Sequence, residues 1–172
     1  MRPAEFARYA PAATPARPAF YVDQSLHDLG FAAQFIVWAM RVQWTHIGDG
    51  RERSLVVERA CNAADMPEGG SLIAELTGAL IGASSRPLAF PCPKWRVLTG
   101  DEARLLTFVA ALQARDGTPL AACDAEWRSP RHASSVWAPA QRLALALSAA
   151  GFYLTMPATQ EAVPADTASR YH

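Results

Sequence analysis

The segment Phe90-Pro91-Cys92-Pro93-Lys94-Trp95 contains the most distinctive residue types for chemistry in this chain. A cysteine thiolate can ligate haem iron, and a following proline turns the backbone away so that the sulfur stays accessible. Aromatic neighbours could cover the porphyrin. The same dipeptide is also compatible with a buried cysteine in a connector that holds no ligand. The sequence therefore predicts no required cofactor, and haem or another ligand held at Cys92 is the alternative.

A second candidate is a narrow polar seam within an otherwise apolar stretch, formed by Gln34, Arg41 and Thr45. The guanidinium of an arginine can hold a carboxylate or a phosphate with two parallel hydrogen bonds. The seam could therefore line a small anion pocket. Alternatively, Arg41 forms an ion pair with an acidic residue of a neighbouring helix.

The sequence contains no specific catalytic or metal-binding motif. Its four histidines form no pair at helical ligand spacing and no His-Glu-x-x-His motif. Neither a Gly-x-Ser-x-Gly elbow nor a P-loop is present, and Gly69-Gly70 indicates a linker. The three cysteines, at positions 61, 92 and 123, include no Cys-x-x-Cys pair, which argues against a disulfide framework or a zinc site. We expect a non-enzymatic protein of a reducing cytoplasm, with no catalytic residues and no metal site.

The most regular stretch of the chain, residues 26–47, must position the polar seam. Its apolar residues recur at spacings of three and four on one helical face: Leu29, Ala33, Ile36, Met40, Trp44 and Ile47. A second apolar stripe follows roughly the opposite side: Phe31, Phe35, Trp38 and Val42. A helix with two apolar faces lies between other elements or against a partner chain. The second stripe is therefore either core or the interface for another protein or a second copy. Ile36 and Trp44 should be buried.

The remaining signals predict an all-α protein, a single globular bundle of about six helices around residues 26–47. Gly48-Asp49-Gly50 ends the central helix, and the capping box of Thr99 and Glu102 begins a later one. Other helices are expected over residues 51–64, with Leu55 and Val56 inward, and over residues 71–81. A short helix is expected from Thr118-Pro119, and a last one over 138–150 that Gly151 caps. The prolines of residues 84–98 indicate an ordered, extended connector, with Trp95 packed onto the helices.

Composition divides the chain into three parts and limits its partners. Residues 1–19 form a flexible arm rich in proline and alanine, 20–155 the helical domain, and 156–172 a disordered tail. Sixteen basic and sixteen acidic residues give a formal net charge of zero, so no overall field attracts nucleic acid or an anionic membrane. The most apolar run, residues 29–40, is shorter than the roughly 20 residues of a membrane-spanning helix.

The predicted function is that of a regulatory or assembly factor acting through protein–protein contacts. One alternative is a ligand or haem sensor that uses the Cys92-Pro93 connector. Another is a DNA-binding regulator, because the helix order over residues 99–154 resembles a helix-turn-helix module. The last helix is mostly apolar, whereas a recognition helix presents Arg, Asn or Gln to base edges. Nucleic acid is therefore not an expected partner.

Three short runs also carry a resemblance: Arg86-Pro87-Leu88 through Cys92-Pro93, Leu98 through Ala103, and Leu105-Leu106. In these runs the chain resembles small uncharacterised all-helical proteins of proteobacteria. The resemblance covers part of the chain and implies a helical bacterial protein. It assigns no activity to any residue.

Overall fold

A computed structural model describes Tyr21 and residues 24–50, 54–115 and 136–155. These ranges contain a short 3-10 helix, Leu26–Asp28, and no β-strand. Their five α-helices are α1 (Phe31–Gly48), α2 (Leu55–Ala63), α3 (Gly69–Ala83), α4 (Gly100–Ala114) and α5 (Trp137–Ala149). The all-α prediction is confirmed, with five described helices where about six were expected. The arm over 1–19, the short helix from Thr118-Pro119 and the tail over 156–172 lie outside the described residues.

The central helix begins five residues later than the sequence predicted. Residues 26–28 form the separate 3-10 helix, capped by the Ser25 hydroxyl, and Gly30 is the N-cap of α1. The reason is a short antiparallel pairing: the Leu26 N–H donates to the Arg96 carbonyl at 2.8 Å and holds the preceding chain extended. The C-terminal end agrees with the prediction, since α1 ends at Gly48 and Gly50 has a φ of +76°.

The buried core surrounds the middle of α1. This helix contacts α2, α3 and α4, and α5 packs on α3 and α4. Ile36 and Met40 have no exposed surface, as predicted for Ile36. Trp44 was expected to be buried but is half-buried, with its ring centroid 4.7 Å from that of Phe90. Trp44 faces the connector, whose single extended backbone leaves part of the indole accessible.

Helix α2 turns a different face inward from the predicted one. Leu55 and Val56 are exposed, whereas Val57 and Cys61 are fully buried. The glycines taken for a linker, Gly69-Gly70, instead form the first turn of α3, directly against α2. A Cβ added to the second of them would lie 2.9 Å from the Cα of a residue in α2, Glu58. The two helices therefore cross at a distance that only glycine permits, and this crossing decides which side of α2 is buried.

Residues between α3 and α4 form the ordered, extended connector that the prolines predicted. The Ala89 N–H donates to the Asp101 carboxylate at 2.9 Å, which anchors the connector to the first turn of α4. Trp95 was expected to pack onto the helices, but 55% of it is exposed. Its backbone carbonyl, rather than its indole, makes the contact with the core. Among the described helices, none is both long and apolar enough to cross a membrane.

Candidate functional site

Arg41, on α1, is completely buried and forms an ion pair with Glu102 of α4. Its Nε and Nη2 atoms donate to the two carboxylate oxygens at 2.5 and 2.8 Å. The guanidinium also donates to the carbonyl of Val97 at 3.0 Å and to that of Trp95. Burying two opposite charges is costly unless their hydrogen bonds are satisfied in the interior. Here both carboxylate oxygens and three guanidinium nitrogens have partners, so the pair is an internal clamp.

The Glu102 carboxylate has a second task at the start of α4. It accepts from the Thr99 N–H at 2.9 Å, and the Thr99 hydroxyl accepts from the Glu102 N–H at 3.2 Å. This is the predicted capping box, which is confirmed. Because the N-terminal end of a helix carries a partial positive charge, it favours a carboxylate in the first turn. One carboxylate therefore both begins α4 and holds the arginine of α1.

Asp101 joins the same helix turn to the connector. Its carboxylate accepts from Arg86 and Arg104, each at 3.0 Å, and from the Ala89 N–H. Burial by itself would raise the pKa of Asp101. The Arg86 hydrogen bond, the Ala89 N–H and the positive charges of Arg86 and Arg104 outweigh that effect and hold the pKa below its ordinary value. Asp101 is thus a charged anchor for the chain that precedes α4.

The predicted anion seam does not form one pocket. Gln34 is half-buried and its amide donates to the Leu29 carbonyl at 2.7 Å. Thr45 is exposed, and its hydroxyl donates to the Arg41 carbonyl at 3.0 Å. The guanidinium expected to hold an anion holds Glu102 instead. The alternative interpretation, an ion pair with a neighbouring helix, is confirmed.

Residues 95–98 of the connector are extended and lie between two sets of hydrogen bonds. On one edge, the Arg96 carbonyl accepts from Leu26 and the Leu98 N–H donates to the Gln24 carbonyl at 3.3 Å. On the other edge, Arg41 donates to the carbonyls of Trp95 and Val97. Carbonyls of alternate residues point to the same edge of an extended chain. An arginine side chain therefore occupies the place that a neighbouring strand would have.

The side chain of Cys92 is exposed just before this extended segment. Its carbonyl accepts from the Trp95 N–H at 3.0 Å, which closes a turn around Pro93. Of the two aromatic neighbours, Phe90 is buried against Trp44, and only Trp95 is exposed on the outer side. The haem hypothesis for Cys92 stays a prediction.

The second apolar stripe of α1 divides into a buried end and an exposed end. Val42 is buried, while Phe35 and Trp38 are half-buried and 67% of Phe31 is exposed. Phe152 joins the stripe from the C-terminal segment, with ring centroids 5.6 Å from Phe31 and 6.0 Å from Phe35. We call the four rings of Phe31, Phe35, Trp38 and Phe152 the aromatic cluster. It is the largest described group of neighbouring aromatic side chains that reaches the surface.

Two features place Phe152 in the aromatic cluster. Gly151 has a φ of +79° and ends α5, and the Phe152 N–H donates to the Leu147 carbonyl at 2.8 Å, the pattern of a Schellman cap. Gln113 of α4 then donates to the Phe152 carbonyl at 2.8 Å and accepts from the Leu154 N–H at 2.9 Å. The predicted glycine cap is confirmed. The role of Gln113 was missed, because no local pattern links a glutamine to a segment almost forty residues later.

A cleft of about 220 Å³ lies beside the aromatic cluster, between the start of α1 and the C-terminal segment. Leu29, Gly30 and Ala33 line one side, and Tyr153 and Leu154 line the other. The two sides are more than a hundred residues apart in the sequence, so no pattern along the chain indicates the cleft.

The helix-turn-helix hypothesis concerns α4 and α5, which pack together. The segment between them, residues 116–135, lies outside the described residues. The single arginine of α5, Arg142, forms an ion pair with Glu75 of α3. The hypothesis stays a prediction, and this arginine is engaged within the bundle.

Comparison with known proteins gives no match. No family model matches the chain, and neither the curated proteins nor the solved structures include a similar one. The resemblance to proteobacterial proteins therefore stays a prediction.

Proposed function

We propose that this protein is a non-enzymatic regulatory or assembly factor of the cytoplasm, and that it acts through protein–protein contacts made by the aromatic cluster. The observation that carries the proposal is Phe31, an aromatic side chain that is 67% exposed, stacks on Phe35 and lies tilted against Phe152. Aromatic residues are enriched at interfaces and provide much of their binding energy. Neighbouring apolar side chains at a surface favour a binding role.

The partner to which the proposal commits is a second copy of the chain. Its formal net charge of zero means that two copies do not repel each other over long distances. Three rings of the aromatic cluster follow the axis of α1, at spacings of four and three residues. In a two-fold dimer the same surface faces itself, and rings repeated along one helix can interdigitate across the axis. A homodimer would bury Phe31 against its equivalent.

Sedimentation equilibrium tests this proposal on the full chain. The wild type is expected to be a dimer, and Phe31→Glu a monomer with an unchanged circular dichroism spectrum, because a charge on this exposed side chain opposes docking without entering the core. Leu55→Glu on α2 is the matched control, since Leu55 is also 67% exposed. A monomeric wild type at all concentrations up to millimolar contradicts self-association. Equal dissociation of both variants shows that the effect is not specific to the aromatic cluster.

A second candidate function, haem sensing, is favoured by the exposure of Cys92 beside the exposed Trp95. Titration with haemin would then produce a Soret band that is lost in Cys92→Ala. Cys61→Ala is the control, because Cys61 is fully buried against α3 and cannot reach a ligand. A wild type that gains no Soret band removes this alternative.

A further inference from the structure

We propose that the connector carries a second docking surface, formed by Lys94, Trp95, Arg96 and Val97, and that it binds an acidic segment of a partner protein. This surface is distinct from the aromatic cluster and does not depend on self-association. All four side chains are exposed, and the two apolar ones keep 55% (Trp95) and 47% (Val97) of their surface accessible.

The two cations of this surface are not neutralised within the described ranges of the chain. Arg41, Arg86, Arg104 and Arg142 all have carboxylate partners there, but Lys94 and Arg96 form no salt bridge with a described residue. The chain as a whole has no net charge, yet this segment exposes two positive charges and two apolar side chains within four consecutive residues. Lysine and arginine stems are long enough to place their charges next to such a pair.

The backbone beneath these side chains is fixed before any partner binds. Leu26 holds the Arg96 carbonyl, and the buried guanidinium of Arg41 holds the carbonyls of Trp95 and Val97. A segment already ordered in its binding conformation loses less conformational entropy on association. Tryptophan and arginine are also the residues most enriched among those that dominate binding energy. The buried guanidinium of Arg41 therefore fixes the backbone of the residues whose side chains form the proposed docking surface.

The number of positive charges on this surface indicates which class of partner it can bind. Proteins that bind DNA through its backbone typically neutralise about 6–10 phosphates, and polybasic segments that bind anionic membranes contain about 4–8 lysines and arginines. Two cations are too few for either. They suit a short protein segment in which two carboxylates lie beside an apolar residue, with the carboxylates on Lys94 and Arg96 and the apolar residue on Trp95 or Val97.

Fluorescence anisotropy with a labelled peptide of alternating glutamate and leucine tests the proposal on the full chain. The wild type is expected to bind this probe, less tightly as salt is added. Arg96→Glu and Trp95→Ala should each weaken binding about tenfold, the scale of a close charge pair or an aromatic anchor. Arg59→Glu is the matched control: it makes the same charge change at another exposed arginine, on α2, and should leave binding unchanged.

Three results would overturn the proposal. They are the absence of binding at low salt, an equal loss in Arg59→Glu and Arg96→Glu, and tighter binding to an oligothymidylate or to phosphatidylserine vesicles than to the acidic peptide. Phe31→Glu separates this surface from the aromatic cluster, because it should abolish dimerisation and leave peptide binding intact. Circular dichroism of each variant checks that the fold is retained.

Discussion

The two ends of α1 treat charge and apolar surface in opposite ways. In the second half of the helix, the guanidinium of Arg41 is completely buried; in its first turn, 67% of Phe31 is exposed. Proteins usually bury phenylalanine and leave arginine at the surface. Arg41 can be buried because Glu102 and two connector carbonyls satisfy it. Burial at these positions follows the available partners rather than the residue type.

The second half of α1 therefore belongs to a structural clamp, and its first turn carries the proposed docking surface. The buried clamp connects α1, α4 and the connector, so changing it should alter stability. The exposed ring of Phe31 touches only two other rings among the aromatic contacts described, so changing it should alter association.

Removing the buried cation should cause the largest loss of stability. Arg41→Ala leaves the Glu102 carboxylate buried without its partner, and such losses are about 3–5 kcal/mol. Urea denaturation measures the difference. The double variant Arg41→Met with Glu102→Gln is the control, because it removes both charges while the glutamine side chain can still accept from the Thr99 N–H in the capping box, so it should recover part of the stability. A loss below about 1 kcal/mol in Arg41→Ala would show that the ion pair behaves like a surface pair.

Two apolar residues on α1 should differ strongly when each is shortened to alanine. Ile36→Ala should lose about 2–5 kcal/mol, because it leaves a cavity in the fully buried core. Phe31→Ala should lose only about 1 kcal/mol, the scale of its aromatic contacts. Thermal and urea unfolding of both variants provide the measurement. Similar losses in the two would place Phe31 in the core and contradict its role in docking.

The carboxylate of Asp101 should make stability depend on acid pH. Its pKa is lowered in the folded state, so its contribution is complete above the unfolded-state pKa of about 3.9 and disappears as the pH falls through the folded-state pKa. Asp101→Asn should therefore be less stable than the wild type by about 1.5–3 kcal/mol at neutral pH. Denaturation at a series of pH values should show the two curves converging in acid. A constant difference would exclude the charge as the cause.

Two glycines of α3 should respond to alanine with opposite signs. Gly70→Ala brings a Cβ to 2.7 Å from the Glu58 Cγ and 2.9 Å from its Cα, so the helices must move apart, at a cost of about 1–3 kcal/mol. Gly78→Ala meets no atom within 4 Å and should stabilise the helix by about 0.5–1 kcal/mol. Melting temperatures of the two variants decide the matter. A gain in both would mean that the crossing of α2 and α3 is looser than described.

Local signals in the sequence determined the helical class and most of the helix ends. The capping box of Thr99 and Glu102, the glycine after α5 and the proline-rich connector were all predicted correctly. The two caps depend on residues within about five positions of each other, and local hydrogen bonds fix their geometry. The prolines of the connector restrict their own backbone angles and remove N–H donors, which excludes a helix there. The apolar stripe containing Phe31, Phe35 and Trp38 was visible in the same way, from the helical period.

Tertiary packing decided which of these surfaces are covered. Periodicity did not reveal that α2 buries Val57 and Cys61 rather than Leu55, because the close crossing at Gly70 sets its rotation. The helical period also does not indicate that Glu102, 61 residues from Arg41, is the partner that allows the guanidinium to be buried. Nor could it show that Trp95 points outward. Apolar side chains favour burial wherever they occur in the sequence. Their positions in the folded chain decide which of them are covered by neighbouring residues. The side chains that remain exposed, and could bind a partner, are therefore known only from the packed helices.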